Sequence, residues 1–211
     1  MLASDGETRG PTPQESRDVI YETLERTRSS LYVAGSATIL ILWGVIGAVG
    51  LLAEYSIATW GADLRADYPW ISGPLWMALV GTGFTASAVI GSRAGQRAAP
   101  GQVSRDAGLR VFLFWLAIGV AAFALPGLGG AWASDNPDVN TPRVAIGVAG
   151  LGFVLFGIMV RPMLAVIGAG LLAAYYVPSY LLDDAALAVS AALWLAVAAL
   201  GMLWVRKSGI A

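Results

Sequence analysis

Leu31 to Ala53, LYVAGSATILILWGVIGAVGLLA, runs for twenty-three residues without a charge. As a helix rising about 1.5 Å per residue it is roughly 34 Å long, enough for a hydrocarbon core of about 30 Å. A buried helix of a soluble domain rarely stays apolar on every face over that length. Five further stretches repeat the pattern, at about 70–90, 111–132, 144–160, 163–182 and 185–205. The reading is an all-α polytopic membrane protein, a bundle of six transmembrane helices spanning 31–205.

Composition agrees. The chain is 57% hydrophobic and 13% charged, against about 25% charged in a typical soluble domain. Its 26 glycines suit membrane helices, where they let backbones approach closely. With no cysteine and no histidine, thiol catalysis, disulfides, histidine-held haem and the usual zinc or copper sites are excluded. No cofactor and no metal is expected. Arg outnumbers Lys twelve to one, and with the many Ala and Gly residues this points to a high-GC prokaryotic source.

Residues 1–30 are polar and carry six acidic groups, the wrong flank for a cleavable signal peptide, so the first span is expected to remain as an anchor. Thr12-Pro13-Gln14-Glu15 reads as a helix start, with Thr as N-cap and Pro at the first helical position. From there to Ser30, Val19, Ile20 and Leu24 share one side and Glu22 precedes Arg26 by four, which predicts a short amphipathic cytoplasmic helix. Residues 206–211 form a second cytoplasmic tail.

Prolines punctuate the bundle. Pro69 and Pro74 open the second span, where proline is tolerated. Fifteen apolar residues from Val111 precede Pro126, too few to cross, so the third helix is expected to kink or loosen at Leu125-Pro126-Gly127-Leu128-Gly129-Gly130. Thr141-Pro142 is read as the start of the fourth span. Arg161-Pro162 forces a tight turn with Arg161 at the negative end of the fourth helix dipole, and Asp183 with Asp184 is read as the cap of the sixth.

Alternation of the spans sorts the charges. Eleven basic residues (Arg9, Arg17, Arg26, Arg28, Arg93, Arg97, Arg105, Arg110, Arg161, Arg206, Lys207) fall on one side, and only Arg65 and Arg143 on the other. Acidic residues divide seven and seven, so the sides carry +4 and −5. Positive residues mark the cytoplasmic side, which puts both termini in the cytoplasm of a cell-membrane protein. Tyr55, Trp60, Tyr68, Trp70, Trp132, Tyr176 and Tyr180 then form the outer aromatic belt.

Gly147-Val148-Ala149-Gly150-Leu151-Gly152 spells a nucleotide fingerprint, but it lies inside an apolar span with no preceding strand and no acidic residue at the right distance. Close helix packing by Gly147, Gly150 and Gly157 is the better account, and Gly83, Ser87 and Gly91 form a similar stripe. The span interiors hold no ionisable residue; Glu54, Arg161 and Asp183 are expected at hydrated ends. Hydroxyls such as Thr82, Thr85, Ser87 and Ser190 are expected to bond back to helix carbonyls. An intramembrane protease, a proton-coupled transporter and a redox carrier are disfavoured, since such proteins keep ionisable groups within their spans.

Two surfaces remain as candidates. Trp76, Pro126, Gly127, Tyr175 and Tyr176 lie at similar depth in the outer third, where proline-broken helices could seat a solute. Arg26, Arg28, Arg93, Arg97, Arg105 and Arg110 make a basic cytoplasmic face for association. Trp43-Gly44 and Gly47, following an Arg-bearing amphipathic helix, resemble uncharacterised small multi-span integral membrane proteins of high-GC prokaryotes. The resemblance covers residues 15–53 and implies no activity, cofactor or functional residue. The leading expectation is a non-enzymatic subunit or scaffold of a membrane complex. The rival is a small transporter or channel for an uncharged or lipophilic solute. Expected partners are the lipid bilayer and either another membrane protein or further copies of the chain, with no nucleic acid.

Overall fold

The computed structural model describes residues 35–98, 102–131 and 137–208, with Thr12 and Gln14. No strand occurs among them, and the helices run α1 Ser36–Trp60, α2 Ala62–Asp67, α3 Ser72–Ala98, α4 Gln102–Leu128, α5 Pro137–Val160, α6 Pro162–Leu181 and α7 Ala186–Lys207. All but the short α2 are long and apolar enough to cross a membrane. The chain is therefore an all-α, six-span integral membrane protein. The expected N-terminal amphipathic helix, its Arg26 and Arg28, residues 31–34 of the first span and Trp132 lie outside the described residues.

Several helices extend beyond their apolar runs. α3 continues to Ala98 and α4 starts at Gln102 rather than near Val111. Apolarity marks only the part within hydrocarbon, whereas backbone hydrogen bonding carries on into polar flanks; 27 residues rise about 40 Å, past a core of about 30 Å. That lengthening removes the shortage of residues from which a kink or loosening of the third span was expected. With α4 starting at Gln102, twenty-four residues precede Pro126, and the helix passes uninterrupted through Pro126 and Gly127 to Leu128. It stops where the Gly129 N–H donates to the Leu125 carbonyl at 2.8 Å and that of Gly130 to Gly127 at 3.1 Å. Gly130 has φ 75°, a left-handed stop open to glycine.

Two other expectations change. Pro142 lies inside α5, so Thr141-Pro142 does not start that helix. The Asp183 and Asp184 carboxylates do not cap α7; its N-cap is Ala185, without a side-chain bond, and the Asp183 carbonyl accepts from the Ala186 N–H at 3.2 Å. The turn between α5 and α6 is as tight as expected. Arg161 alone separates them, extended at φ −156°, ψ 123°, with its N–H donating to the Gly157 carbonyl at 2.8 Å.

Neighbouring helices follow the order α3, α1, α7, α6, α5, α4, with α4 returning to α3. Glycine sets the closest approaches. A Cβ on Gly157 would strike the Ala165 backbone, and one on Gly168 would lie 2.8 Å from the Val154 nitrogen, so α5 and α6 touch backbone to backbone. Gly44 receives Ala198 and Gly47 receives the Trp194 ring, seating α7 on α1. The Gly83–Ser87–Gly91 stripe faces α1: Gly83 meets Trp43 and Ile46, and Ser87 Oγ accepts from Trp43 Nε1 at 3.1 Å. Thr82 and Thr85 do bond back to the carbonyls of Ala78 and Gly81. Ser87 Oγ has the Trp43 indole as its partner and accepts rather than donates in that contact, and Ser190 Oγ reaches across to the Tyr175 carbonyl at 3.4 Å.

The core has two adjoining parts. Leu40, Leu164, Ile167, Leu171, Ala198 and Val205 fill one, and Ala48, Leu51, Tyr175 and Ala191 the other. α3 and α4 close the ring loosely. The most apolar window of α1 is 44% buried, but those of α3 and α4 are only 6% buried. These two helices present most of their surface outward.

Candidate functional site

The five residues expected to line an outer pocket do not share one. Tyr175 and Tyr176 are neighbours, with ring centroids 5.3 Å apart, yet they serve different contacts. Tyr175 is 3% exposed and packs with Ala48, Leu51 and Ala191 in the core. Tyr176 turns to α5, where its hydroxyl donates to the Arg143 carbonyl at 2.6 Å. Its ring stacks on Tyr180 at 6.3 Å, and the Arg143 guanidinium lies 5.1 Å over the Tyr180 ring. Trp76 sits on α3, with its ring against Gly50 of α1. Pro126 and Gly127 belong to the last turn of α4. The physical reason is helix rotation: equal depth in the bilayer does not make residues face one another, and α4 is not broken to open a cavity there.

Trp76 instead belongs to a polar cluster that sequence reasoning missed. Glu54, expected in water, is 7% exposed. Its Oε2 accepts from Arg65 Nη2 at 2.5 Å and from Ser72 Oγ at 3.0 Å, and its Oε1 accepts from Trp76 Nε1 at 3.1 Å. Arg65 Nη2 also lies 3.3 Å from Ser72 Oγ. α1 carries the carboxylate, α2 the guanidinium and α3 the hydroxyl and indole, so one buried charge ties three consecutive elements together. Gly61 ends α1 and lets the chain turn into α2, which returns Arg65 over Glu54. One sequence signal was present: Glu54 directly adjoins an uncharged span, and Arg65 is one of two basic residues on its side. A lone acid there needs a cation if it is to be buried. Both carboxylate oxygens are bonded, Oε2 twice and Oε1 once, so the cluster ties α1, α2 and α3 together.

The open surface lies on α3 and α4. A cavity of about 440 Å³ between them is lined by residues such as Phe84, Leu116, Gly119 and Phe123. A second, about 610 Å³, is a trough on α3 from Met77 to Ile90. Neither is lined by Trp76, Pro126, Gly127, Tyr175 or Tyr176. Arg93 and Arg97 end α3, while Arg105 and Arg110 open α4, and all four are exposed. The expected basic face is thus assembled at one end of these two helices for the four arginines that are described. No group of three or more Asp, Glu, His or Cys residues that could hold a metal occurs among the described residues. No family model matches the chain, and neither a curated protein nor a solved structure matches it.

Proposed function

We propose that this integral membrane protein acts by association, as a non-enzymatic subunit or scaffold of a complex in the cell membrane, with α4 turned to its partner. One observation carries the reading. Leu109, Leu113, Leu116, Val120 and Phe123 are all exposed and follow each other at intervals of four, three, four and three. That is the spacing of a helix–helix seam, in which apolar side chains at alternating three- and four-residue steps insert between those of a facing helix. Arg105, one turn before Leu109, and Arg110 beside it select a partner helix with acidic residues at that end. The charge asymmetry of the loops orients this end, and both termini, toward the cytoplasm.

A transporter reading gains less support. Side chains fill the centre of the bundle, where Leu51, Leu171, Val205 and Ser190 are fully buried, and both cavities open on the outer surface of α3 and α4. Among the described residues, the carboxylate buried near a span end, Glu54, is bonded to Arg65, Ser72 and Trp76.

Affinity purification from native membranes in mild detergent tests the proposal. Leu113→Ala with Leu116→Ala and Val120→Ala is expected to lose the co-purifying partner. The matched α7 variant, Leu193→Ala with Leu200→Ala and Leu203→Ala, removes equally exposed side chains and is expected to retain it. Solute flux in proteoliposomes that is indifferent to the α4 changes and abolished by Tyr175→Ala would overturn the association reading.

A further inference from the structure

The geometry points to a binding site for one anionic phospholipid on the free face of α3, its headgroup between Arg93 and Arg97 and one acyl chain in the trough above them. The trough adjoins the cavity lined by the α4 residues Leu116, Val120 and Phe123 and shares Gly81 with it, but Arg93, Arg97 and the rest of its wall belong to α3 alone. The trough is shallow because small residues, Ala78, Gly81 and Ala86, lie between Met77 at one end and Val89 and Ile90 at the other. Gly81 packs against no neighbouring helix: a Cβ there would meet nothing within 4 Å. The two hydroxyls in the trough, Thr82 and Thr85, already donate to the carbonyls of Ala78 and Gly81 at 2.8 and 2.9 Å. They make no demand on an occupant, and an alkyl chain fits the wall they leave.

Charge identifies the head of that occupant. Arg93 follows Val89 by four residues and Arg97 follows Arg93 by four, so both continue the face of the trough. Both are exposed, and neither pairs with a carboxylate among the described residues. Two guanidinium groups one turn apart match a phosphodiester, which they can grip through forked hydrogen bonds. Depth agrees as well. The eleven residues from Arg93 up to Thr82 rise about 16 Å, close to half of a hydrocarbon core of about 30 Å. A lipid of the leaflet on the arginine side therefore reaches the trough with its chain when its headgroup sits at Arg93 and Arg97.

The test is a titration of the full chain in nonionic detergent with phosphatidylglycerol or phosphatidylcholine, read by native mass spectrometry. Phosphatidylglycerol is expected to bind, phosphatidylcholine much more weakly, and inorganic phosphate is expected not to compete. Arg93→Gln with Arg97→Gln is expected to weaken phosphatidylglycerol about thirtyfold, the factor that two basic contacts with an anionic lipid imply. Ala78→Leu, at an exposed position that lines the trough and not the α3–α4 cavity, fills the trough and is expected to weaken that binding several-fold. Arg206→Gln with Lys207→Gln removes the same charge from the same end of the bundle and is expected to change nothing. Equal binding of the two lipids, unchanged binding by Ala78→Leu, or an equal loss in the Arg206 and Lys207 variant would each overturn the site.

Discussion

Arg65→Gln should cost this protein more than Glu54→Gln, although both remove the same ion pair. The difference follows from which charge is left behind. Removing one partner of a buried pair strands the other, at about 3–5 kcal/mol. Glu54 has its side chain 9% exposed and Arg65 has 23%, so the stranded carboxylate cannot reach water, whereas a stranded guanidinium can extend along its stem to solvent. Ser72 and Trp76 still donate to the carboxylate in Arg65→Gln, which places the loss at the low end, about 3 kcal/mol. For a chain of this size that corresponds to roughly 6–12 °C of melting temperature. Glu54→Gln keeps one acceptor oxygen, for Arg65 and Ser72, turns its NH2 toward the Trp76 indole N–H, and should lose about 1–2 kcal/mol, the scale of one charge-assisted hydrogen bond. The double variant should melt near Glu54→Gln rather than at the sum of the two, since contacting residues do not add. Thermal unfolding of the detergent-solubilised chain, followed by size-exclusion of the surviving fraction, measures all three. Equal losses in the two single variants, or strict additivity in the double, would refute the argument that Glu54 is held buried by Arg65.

Glycine variants test the backbone contacts. Gly157→Ala is expected to lower the melting temperature in detergent by several degrees, because its Cβ meets the Ala165 backbone, which cannot move aside. Gly150→Ala should cost less, since its Cβ meets only the Leu172 side chain, and Gly108→Ala, with nothing within 4 Å, should be neutral or slightly stabilising. Tyr176→Phe deletes the hydroxyl that holds the Arg143 carbonyl at 2.6 Å and should cost about 1 kcal/mol in the same melt. Topology is open to single cysteines, because the chain has none of its own. Ser4→Cys, Ser104→Cys and Ser208→Cys are expected to resist an impermeant thiol reagent in intact cells, and Ser134→Cys and Ala62→Cys to react. Labelling of Ser104→Cys would reverse the assigned orientation.

The spans were legible in the sequence because crossing a bilayer is a local requirement. An uninterrupted apolar run of sufficient length, such as Leu31 to Ala53, meets it without reference to any other segment. The small-residue stripes were legible for a related reason: Gly83, Gly150 and Gly157 announce a close approach, though not to what. Helix ends were less so, as Pro126 and Pro142 lie within helices that begin in polar sequence before the apolar run does. What remained for the tertiary structure is the rotation of each helix about its axis, which depends on all its neighbours at once. That rotation separates Trp76 from Tyr175, leaves α3 and α4 facing outward, and sets Leu109, Leu113 and Leu116 on an open face. It also decides the fate of Glu54. Its partners lie 11, 18 and 22 residues away on two other helices, and only their convergence turns a charge at the end of a span into a buried tie between α1, α2 and α3.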